Sequence, residues 1–247
     1  MDTYILRRLV IVTGDKGGVG KSMFARGLVQ LYINGGLSYK AYDADSRNPQ
    51  LYRHYKNTPA SVTQVDIFTR GEADILLADL DEHRPNLALL DLPSQSGKFF
   101  EDLVKEFDLF NTLSDLGYQI TLVSVISRLA DSISILDHLY TTSGDTVQHV
   151  VVKNLFFGEE DKFERYDGNQ IRKRLIESGR LQEISMPDLF YKTFDFIDLH
   201  NLDFGSVASH QNADLAIRSR TKSWLKHFEL SSLRASYMLG LTNMKPT

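Results

Sequence analysis

Short apolar runs alternate with longer amphipathic stretches along the chain. Six runs have the length of a buried strand, at 9–12, 39–42, 87–90, 120–125, 149–152 and 183–186. Apolar residues recur at helical spacing in three stretches, at 21–33, 99–110 and 131–140. Strands that alternate with helices indicate right-handed crossovers. We therefore predict an α/β fold whose mainly parallel, twisted sheet is covered by helices on both faces.

No linker divides this pattern, so we predict one domain over residues 1–247. The long charged connections at 43–70 and 155–180 are the part that the pattern explains least. No run approaches the roughly 18 apolar residues of a membrane-spanning helix, and the apolar stretch after Arg8 is too short for a signal peptide. The absence of cysteine excludes a disulfide framework, a cysteine zinc site, an iron–sulfur cluster and a thiol nucleophile. We expect a soluble, cytoplasmic protein.

A glycine-rich loop, GDKGGVGKS over residues 14–22, lies between the first predicted strand and the first predicted helix. Glycines allow the backbone N–H groups of such a loop to approach a ligand, and the following helix dipole favours an anion there. Lys21 is placed to reach the β- and γ-phosphates of a nucleotide, and the Ser22 hydroxyl to ligate Mg²⁺. The loop therefore predicts nucleotide binding.

The segment from Lys16 to Ser22 resembles the deviant Walker A motif of the ParA/MinD superfamily of P-loop ATPases. The resemblance implies ATP and Mg²⁺ as ligands and a homodimer that sandwiches two ATP molecules. Lys16 occupies the place of the signature lysine, which crosses to the partner's nucleotide and joins Lys21 in catalysis. Asp15 departs from the strict pattern, which has glycine there. The implied nucleotide-binding residues in this loop are Lys16, Gly17, Gly18, Val19, Gly20, Lys21, Ser22 and Met23.

Aspartates follow two of the predicted strands, where ligands bind in open α/β sheets. Asp43 and Asp45 resemble the D-x-D switch I of the superfamily, which implies that Asp45 positions the attacking water. Asp43 would then hold the loop or contribute to the metal site. Asp91 ends an apolar run as a Walker B carboxylate does and resembles the D-x-P switch II. Together with Ser22 it is our candidate for the metal side of the site, reached through water.

Two short features of the chain resemble the base pocket of the superfamily. Asn154 follows the fifth predicted strand, where the resemblance implies an amide that hydrogen-bonds adenine. Pro187 lies in a segment that resembles the Ile-Pro-acid element whose backbone lines that pocket. Each of these features is equally consistent with a turn at the end of a strand.

The C-terminal segment 217–247 is basic although the whole chain carries a formal charge of −4. It has one acid, Glu229, and a net charge of +5. Trp224, Leu225, Phe228 and Leu239 accompany the basic residues. Three interpretations stay open: a helix packed on the sheet, nonspecific DNA binding, or an interfacial membrane helix, of which the membrane has the least support. The basic residues are Arg218, Arg220, Lys222, Lys226, Arg234 and Lys245.

The combined motifs favour a slow ATPase of the ParA type, a dimeric switch that partitions or transfers DNA or positions another cargo and is activated by a partner protein. An amidoligase-type metabolic enzyme on the same fold is the main alternative, and a nucleotide-binding scaffold without turnover is another. The iron-protein branch of the superfamily is excluded because its cluster requires cysteines.

Overall fold

The computed structural model describes residues 7–14, 17–58, 62–69, 71–144 and 146–244. Within these residues seven strands form one sheet in which every pair is parallel, in the order β3-β2-β4-β1-β5-β6-β7. The predicted α/β class is confirmed. The strands are β1 Arg7–Thr13, β2 Lys40–Asp43, β3 Val62–Gln64, β4 Leu87–Asp91, β5 Tyr118–Ile126, β6 Gln148–Asn154 and β7 Leu181–Met186.

Helices connect successive strands and cover the sheet. Short 3₁₀ turns lie at Leu155–Phe157, Glu160–Lys162, Ser206–Ser209 and Leu233–Ala235. The α-helices of the described residues are α1 Lys21–Asn34, α2 Gln50–Tyr55, α3 Ala73–His83, α4 Gly97–Glu106, α5 Leu109–Asp115, α6 Asp131–Ser143, α7 Glu164–Asp167, α8 Gln170–Glu177, α9 Tyr191–Leu199 and α10 Leu215–Ser232.

The strands are buried on both faces, as the continuous apolar runs require. In β1, Val10 and Val12 pack into a core shared with α1, α2, α9 and α10. Leu9 and Ile11 point to the opposite face, where α3, α4 and α5 cover the sheet. The central strand thus contributes alternate side chains to two cores. This packing on both faces holds β1 in place and so positions the start of the loop that follows it.

Helices α2, α3, α7, α8 and α9 were not predicted, and two further elements differ from the sequence prediction. The single helix predicted over 99–110 is wrong: α4 ends at Glu106 and α5 begins at Leu109, because Asp108 adopts a left-handed conformation with φ of 44°. Aspartate tolerates this conformation better than most residues. Strand β3 was not predicted, since its three residues, Val62 to Gln64, are too few to show a period.

Helix α10 packs against α1 and the end of the sheet. Trp224 stacks on Phe228 and Phe204 with ring centroids 5.0 and 4.8 Å apart. Trp224, Phe228 and Leu239 are buried and Leu225 is half-buried, so the apolar residues that suggested a membrane surface belong to the core. No helix of the described segments is long and apolar enough to cross a membrane. The basic residues Arg218, Arg220, Lys222, Lys226 and Arg234 are exposed, and Lys245 lies outside the described residues.

Gly27 of α1 lies directly against two aromatic side chains of α10. A Cβ atom there would lie 2.7 Å from Phe228 Cε1 and 3.1 Å from Trp224 Cη2. We expect Gly27→Ala to lower the free energy of unfolding by ~1–2 kcal/mol, because overpacking outweighs the ~1 kcal/mol gain in helix propensity. Urea denaturation measures this. The Gly27→Ala/Phe228→Leu double variant should lose less than the two single changes together, and a more stable Gly27→Ala protein would contradict the close packing.

Candidate functional site

The glycine-rich loop leaves the carboxyl end of the central strand β1 and leads directly into α1. Gly14, Gly18 and Gly20 have φ values of 150°, 74° and 103°, in the region that favours glycine. Gly20 is also sterically required, because a Cβ atom there would lie 2.5 Å from Asn154 Nδ2. The loop therefore takes a conformation that a non-glycine sequence resists.

The N-terminus of α1 faces the loop without a side-chain cap among the described residues. Its N-cap is Gly20, and Phe24 N is the first amide that bonds back to the Gly20 carbonyl. The backbone N–H groups before Phe24 form the first turn, which at a helix N-terminus is the part that donates to a bound anion. Together with the helix dipole they form an anion site of the kind that binds phosphate.

Lys21 is buried at the head of α1. Its ammonium donates a hydrogen bond to Ser94 Oγ at 3.2 Å. Ser94 follows Asp91 by three residues, so this bond joins the loop after β1 to the loop after β4. Ser94 also faces Gly17, at 3.7 Å from a Cβ atom built there. Ser94 was not predicted as a site residue, although its position directly after the D-x-P segment could have indicated it.

Asp91 ends β4 beside the glycine loop and is 1% exposed. Neither carboxylate oxygen has a hydrogen-bond partner of ordinary geometry among the described residues. Burial and the neighbouring Asp43 raise the pKa of Asp91 well above its usual range, while the Ser22 hydroxyl and the Lys21 ammonium oppose this shift in part. A buried carboxylate without a partner is costly, and a cation at this place would satisfy it.

Asp43 lies level with Asp91 on the adjacent strand β2. Its two oxygens accept hydrogen bonds from the backbone N–H groups of Asp45 and Tyr52, at 3.0 and 2.9 Å. Burial raises the pKa of Asp43 to about 6, although these bonds favour the charged form. The geometry fits the predicted loop-holding part for Asp43 and leaves less capacity for a metal ion.

Asp45 lies on the loop after β2, at the edge of the cleft described below. Its Oδ1 accepts hydrogen bonds from Arg47 N at 3.1 Å and Asn48 N at 2.9 Å. These bonds form an Asx-type turn that fixes the direction of the carboxylate. Asp45 is half-buried and therefore in reach of a bound molecule.

A cleft of about 440 Å³ runs from the glycine loop to the segment after β7. A pocket of this size suits a small organic ligand. Among the described residues, no cluster of three or more histidine, aspartate or glutamate side chains is arranged to hold a metal ion. A metal here would need ligand oxygens or water in addition to the protein. The residues that line the cleft include Gly18, Gly20, Lys21, Ser22, Met23, Arg26, Asp45, Asn154, Phe156, Met186, Pro187, Asp188, Tyr191 and Phe194.

Asn154 and Pro187 both line this cleft, but their polar groups also make internal bonds. The Asn154 amide donates to the Val19 carbonyl at 2.8 Å and accepts from Phe156 N at 3.1 Å. The Pro187 carbonyl accepts from Trp224 Nε1 at 2.7 Å. Asn154 thereby ties the glycine loop to the end of β6.

Some predicted site residues are not described and some lining residues were not predicted. Asp15 and Lys16, the candidate signature lysine, lie outside the described residues. Arg26 was missed because it reads as one polar position on an amphipathic helix. It is buried on α1, and its guanidinium lies 5.2 Å from the centre of the Phe204 ring. The exposed aromatics Phe156 and Tyr191 were missed as well, since nothing in their spacing marks a site.

Comparisons with known proteins support the fold. No protein-family model matches the chain. It is 28% identical over 194 residues to "Protein MobD" of Acidithiobacillus ferrooxidans, which covers 77% of this chain and 82% of that protein. The cell division protein MinD of Aquifex aeolicus has a similar structure, with a TM-score of 0.52, 14% identity and coverage of 89% of this chain and 97% of MinD. This likeness shows that the chain has the MinD fold.

A nucleotide-binding protein of Archaeoglobus fulgidus, solved in complex with ADP, is a weaker structural match. Its TM-score is 0.46 at 16% identity, and the match covers 81% of this chain and 88% of that one. The conclusion on the fold rests on the MinD structure alone.

Proposed function

We propose that this chain, which has the fold of the ParA/MinD superfamily of P-loop ATPases, binds ATP at its glycine loop and hydrolyses it slowly. The observation that carries the proposal is the buried Asp91 carboxylate, to which the described residues offer no hydrogen bond of ordinary geometry. It lies beside Lys21 and Ser22 at the N-terminus of α1, where the described residues supply no side-chain cap. An anion cradle next to an unsatisfied carboxylate is complementary to a nucleotide phosphate with its cation.

The residues present fit Mg²⁺ as well as phosphate. Ser22 and Asp91 would hold the ion, Asp91 through water. When bound, Mg²⁺ supplies positive charge that offsets the charge of the β- and γ-phosphates. The amides at the head of α1 bind the phosphate oxygens, and Lys21 exchanges its bond to Ser94 for one to the phosphates.

Asp45 is the candidate for orienting the attacking water. The two amide bonds to its Oδ1 hold the carboxylate at the cleft, where it can accept a hydrogen bond from a water molecule. Asp43 supports this loop through its bonds to Asp45 N and Tyr52 N. Lys16 of a second copy would add a cation to the transferred phosphate, as the resemblance implies. The lysine makes dimerisation depend on ATP.

The cellular role we infer is that of a dimeric switch in DNA transfer or partition, in the cytoplasm and with an activating partner protein. Two observations support this direction. The sequence relative from Acidithiobacillus ferrooxidans is called MobD, a name related to mobilisation. Arg218, Lys222 and Lys226 are exposed on α10, where they are available for phosphate contacts with DNA.

Lys21→Ala tests the nucleotide site directly. We expect it to weaken ATP binding at least ~30-fold, because a buried charge-assisted contact to phosphate is lost. Isothermal titration calorimetry with a non-hydrolysable ATP analogue and Mg²⁺ measures the change. Lys173→Ala, which removes an exposed lysine of α8, is the matched control and should bind as the unsubstituted protein does. Equal affinity in the two variants would refute the proposed site.

Dimerisation and turnover are tested separately. Light scattering with the ATP analogue should show a dimer that Lys16→Ala abolishes. A Lys16→Ala protein that dimerised and hydrolysed ATP normally would exclude the signature-lysine role. Stimulation of the ATPase by nonspecific DNA supports the switch, whereas stimulation by a small carboxylic acid would favour the amidoligase alternative.

A further inference from the structure

The polar groups expected to recognise the base are already engaged. The Asn154 side chain uses its NH₂ group on the Val19 carbonyl and its oxygen on Phe156 N. The residue is 5% exposed, and Gly20 lies directly against its Nδ2 atom. Turning the amide towards a base would break the tie between β6 and the glycine loop. Asn154 is thus better suited to holding the loop than to selecting adenine.

Pro187 offers equally little selectivity. Its carbonyl accepts the indole N–H of the buried Trp224, and a proline has no backbone N–H to donate. Asp188, the next residue, is exposed and lines the cleft. Its carboxylate is open to water, so a hydrogen bond from a base there replaces one from solvent and adds little selectivity.

The same end of the cleft presents aromatic surface to solvent. Phe156, Tyr191 and Phe194 line it while their exposures are 67%, 59% and 39%. Phe156 lies in the 3₁₀ turn after β6, and the other two lie on the first turn of α9. Large aromatic side chains exposed in one concave region are typical of ligand sites. Every nucleobase has a flat π-face that such rings can contact.

We propose that the cleft holds the nucleobase by stacking on Phe156 and Tyr191 and selects weakly among bases. The inference rests on the proposed nucleotide site and names what that site accepts: purine and pyrimidine nucleoside triphosphates of comparable affinity. Stacking contributes binding energy without a hydrogen-bond pattern, because it depends on ring area and not on edge groups. Strong discrimination requires buried donors and acceptors that stay unpaired with the wrong base. The Asn154 amide and the Pro187 carbonyl are paired internally, and Asp188 is exposed to solvent.

Calorimetry on the full chain with Mg²⁺ and the non-hydrolysable analogues of ATP, GTP and CTP tests the proposal. Inorganic tripolyphosphate is the probe without a base. We expect the three nucleotides to bind within about tenfold of one another. Tyr191→Leu and Phe156→Leu should each weaken all three by about 5- to 100-fold and leave tripolyphosphate unchanged. Tyr191→Phe, which keeps the ring, should restore the affinity.

Tyr237→Leu is the matched control. Tyr237 is an exposed aromatic that does not line the cleft, and its hydroxyl donates to Gln119 near the amino end of β5, the opposite edge of the sheet from the glycine loop. A preference of more than about tenfold for any one of the three nucleotides, or leucine variants that bind all three nucleotides like the control, would overturn the proposal. If the proposed function is wrong, neither tripolyphosphate nor any of the nucleotides will bind. That result would exclude the phosphate site and the base site together.

Discussion

An Asp91→Asn protein is expected to be more stable than the unsubstituted chain without nucleotide and to gain little stability from Mg²⁺ and ATP. The carboxylate is buried without a hydrogen-bond partner of ordinary geometry among the described residues, and Ser22 and Lys21 offset its desolvation only in part. An amide of the same shape carries no charge at any pH. We expect the free energy of unfolding to rise by ~1–3 kcal/mol, because the amide keeps the polar atoms but removes the charge whose burial, beside Asp43, raises the pKa of the carboxyl.

The loss of ligand stabilisation has a separate cause. A ligand at a thousand times its Kd adds ~4 kcal/mol to the stability of the native state. Without the Asp91 charge the cation is held less well, and we expect most of that gain to disappear. Urea denaturation with and without Mg²⁺ and the ATP analogue measures both effects in one experiment.

Asp43→Asn is the matched control, because both Asp43 oxygens accept backbone hydrogen bonds. Replacing one acceptor oxygen by an NH₂ group breaks a bond, and we expect a loss of ~1–3 kcal/mol. If Asp91→Asn lowered stability as Asp43→Asn does, the carboxylate would be structural. Full stabilisation of Asp91→Asn by Mg²⁺ and ATP would remove it from the nucleotide site.

Arg26→Met is expected to raise the free energy of unfolding by ~1–3 kcal/mol. Arg26 is 2% exposed, and its Nε and Nη2 atoms have no hydrogen-bond partner among the described residues. Burial lowers the pKa of its guanidinium to about 10, so the group stays charged at neutral pH. Contact with the Phe204 ring offsets only part of the desolvation. Methionine fills much of the same volume without a charge.

Arg53→Met is the control for this prediction. Arg53 pairs with Asp198 and donates to Gln50 Oε1 at 2.9 Å, and its side chain is about one-third exposed. Losing these contacts should cost up to ~1 kcal/mol, the range of partly exposed ion pairs. Urea denaturation of both variants under identical conditions measures the two changes in the free energy of unfolding. A less stable Arg26→Met protein would show that the guanidinium has a compensating partner in solution.

The central strands and the loop were predictable because their determinants are local. A run such as Leu87 to Leu90 is long enough to identify a buried strand, and the acid that ends it marks the edge where ligands bind. The backbone conformation of the loop requires its glycines, and their pattern is visible within a few consecutive residues. For this reason Lys21 and Asp91 could be identified as candidate site residues from the sequence.

The rest depends on residues distant in sequence. The burial of Arg26 follows from α10 and the segment around Phe204, which cover that side of α1. The bonds of Asn154 to Val19 and of Pro187 to Trp224 join positions 135 and 37 residues apart. No local pattern indicates that these polar groups are already used. The break at Asp108 likewise depends on one backbone conformation that many sequences could avoid.

The order of strands also constrains how the protein is made. β1 precedes the other strands of the sheet along the chain, yet its neighbours are β4 and β5, which end at residues 91 and 126. During synthesis this apolar strand therefore stays unpaired until β4 has emerged, and it has only one neighbour until β5 follows. Closure of such long loops is slow in parallel sheets. We expect chains released before residue 126 to aggregate or require chaperones, and to lack the glycine loop in its folded form.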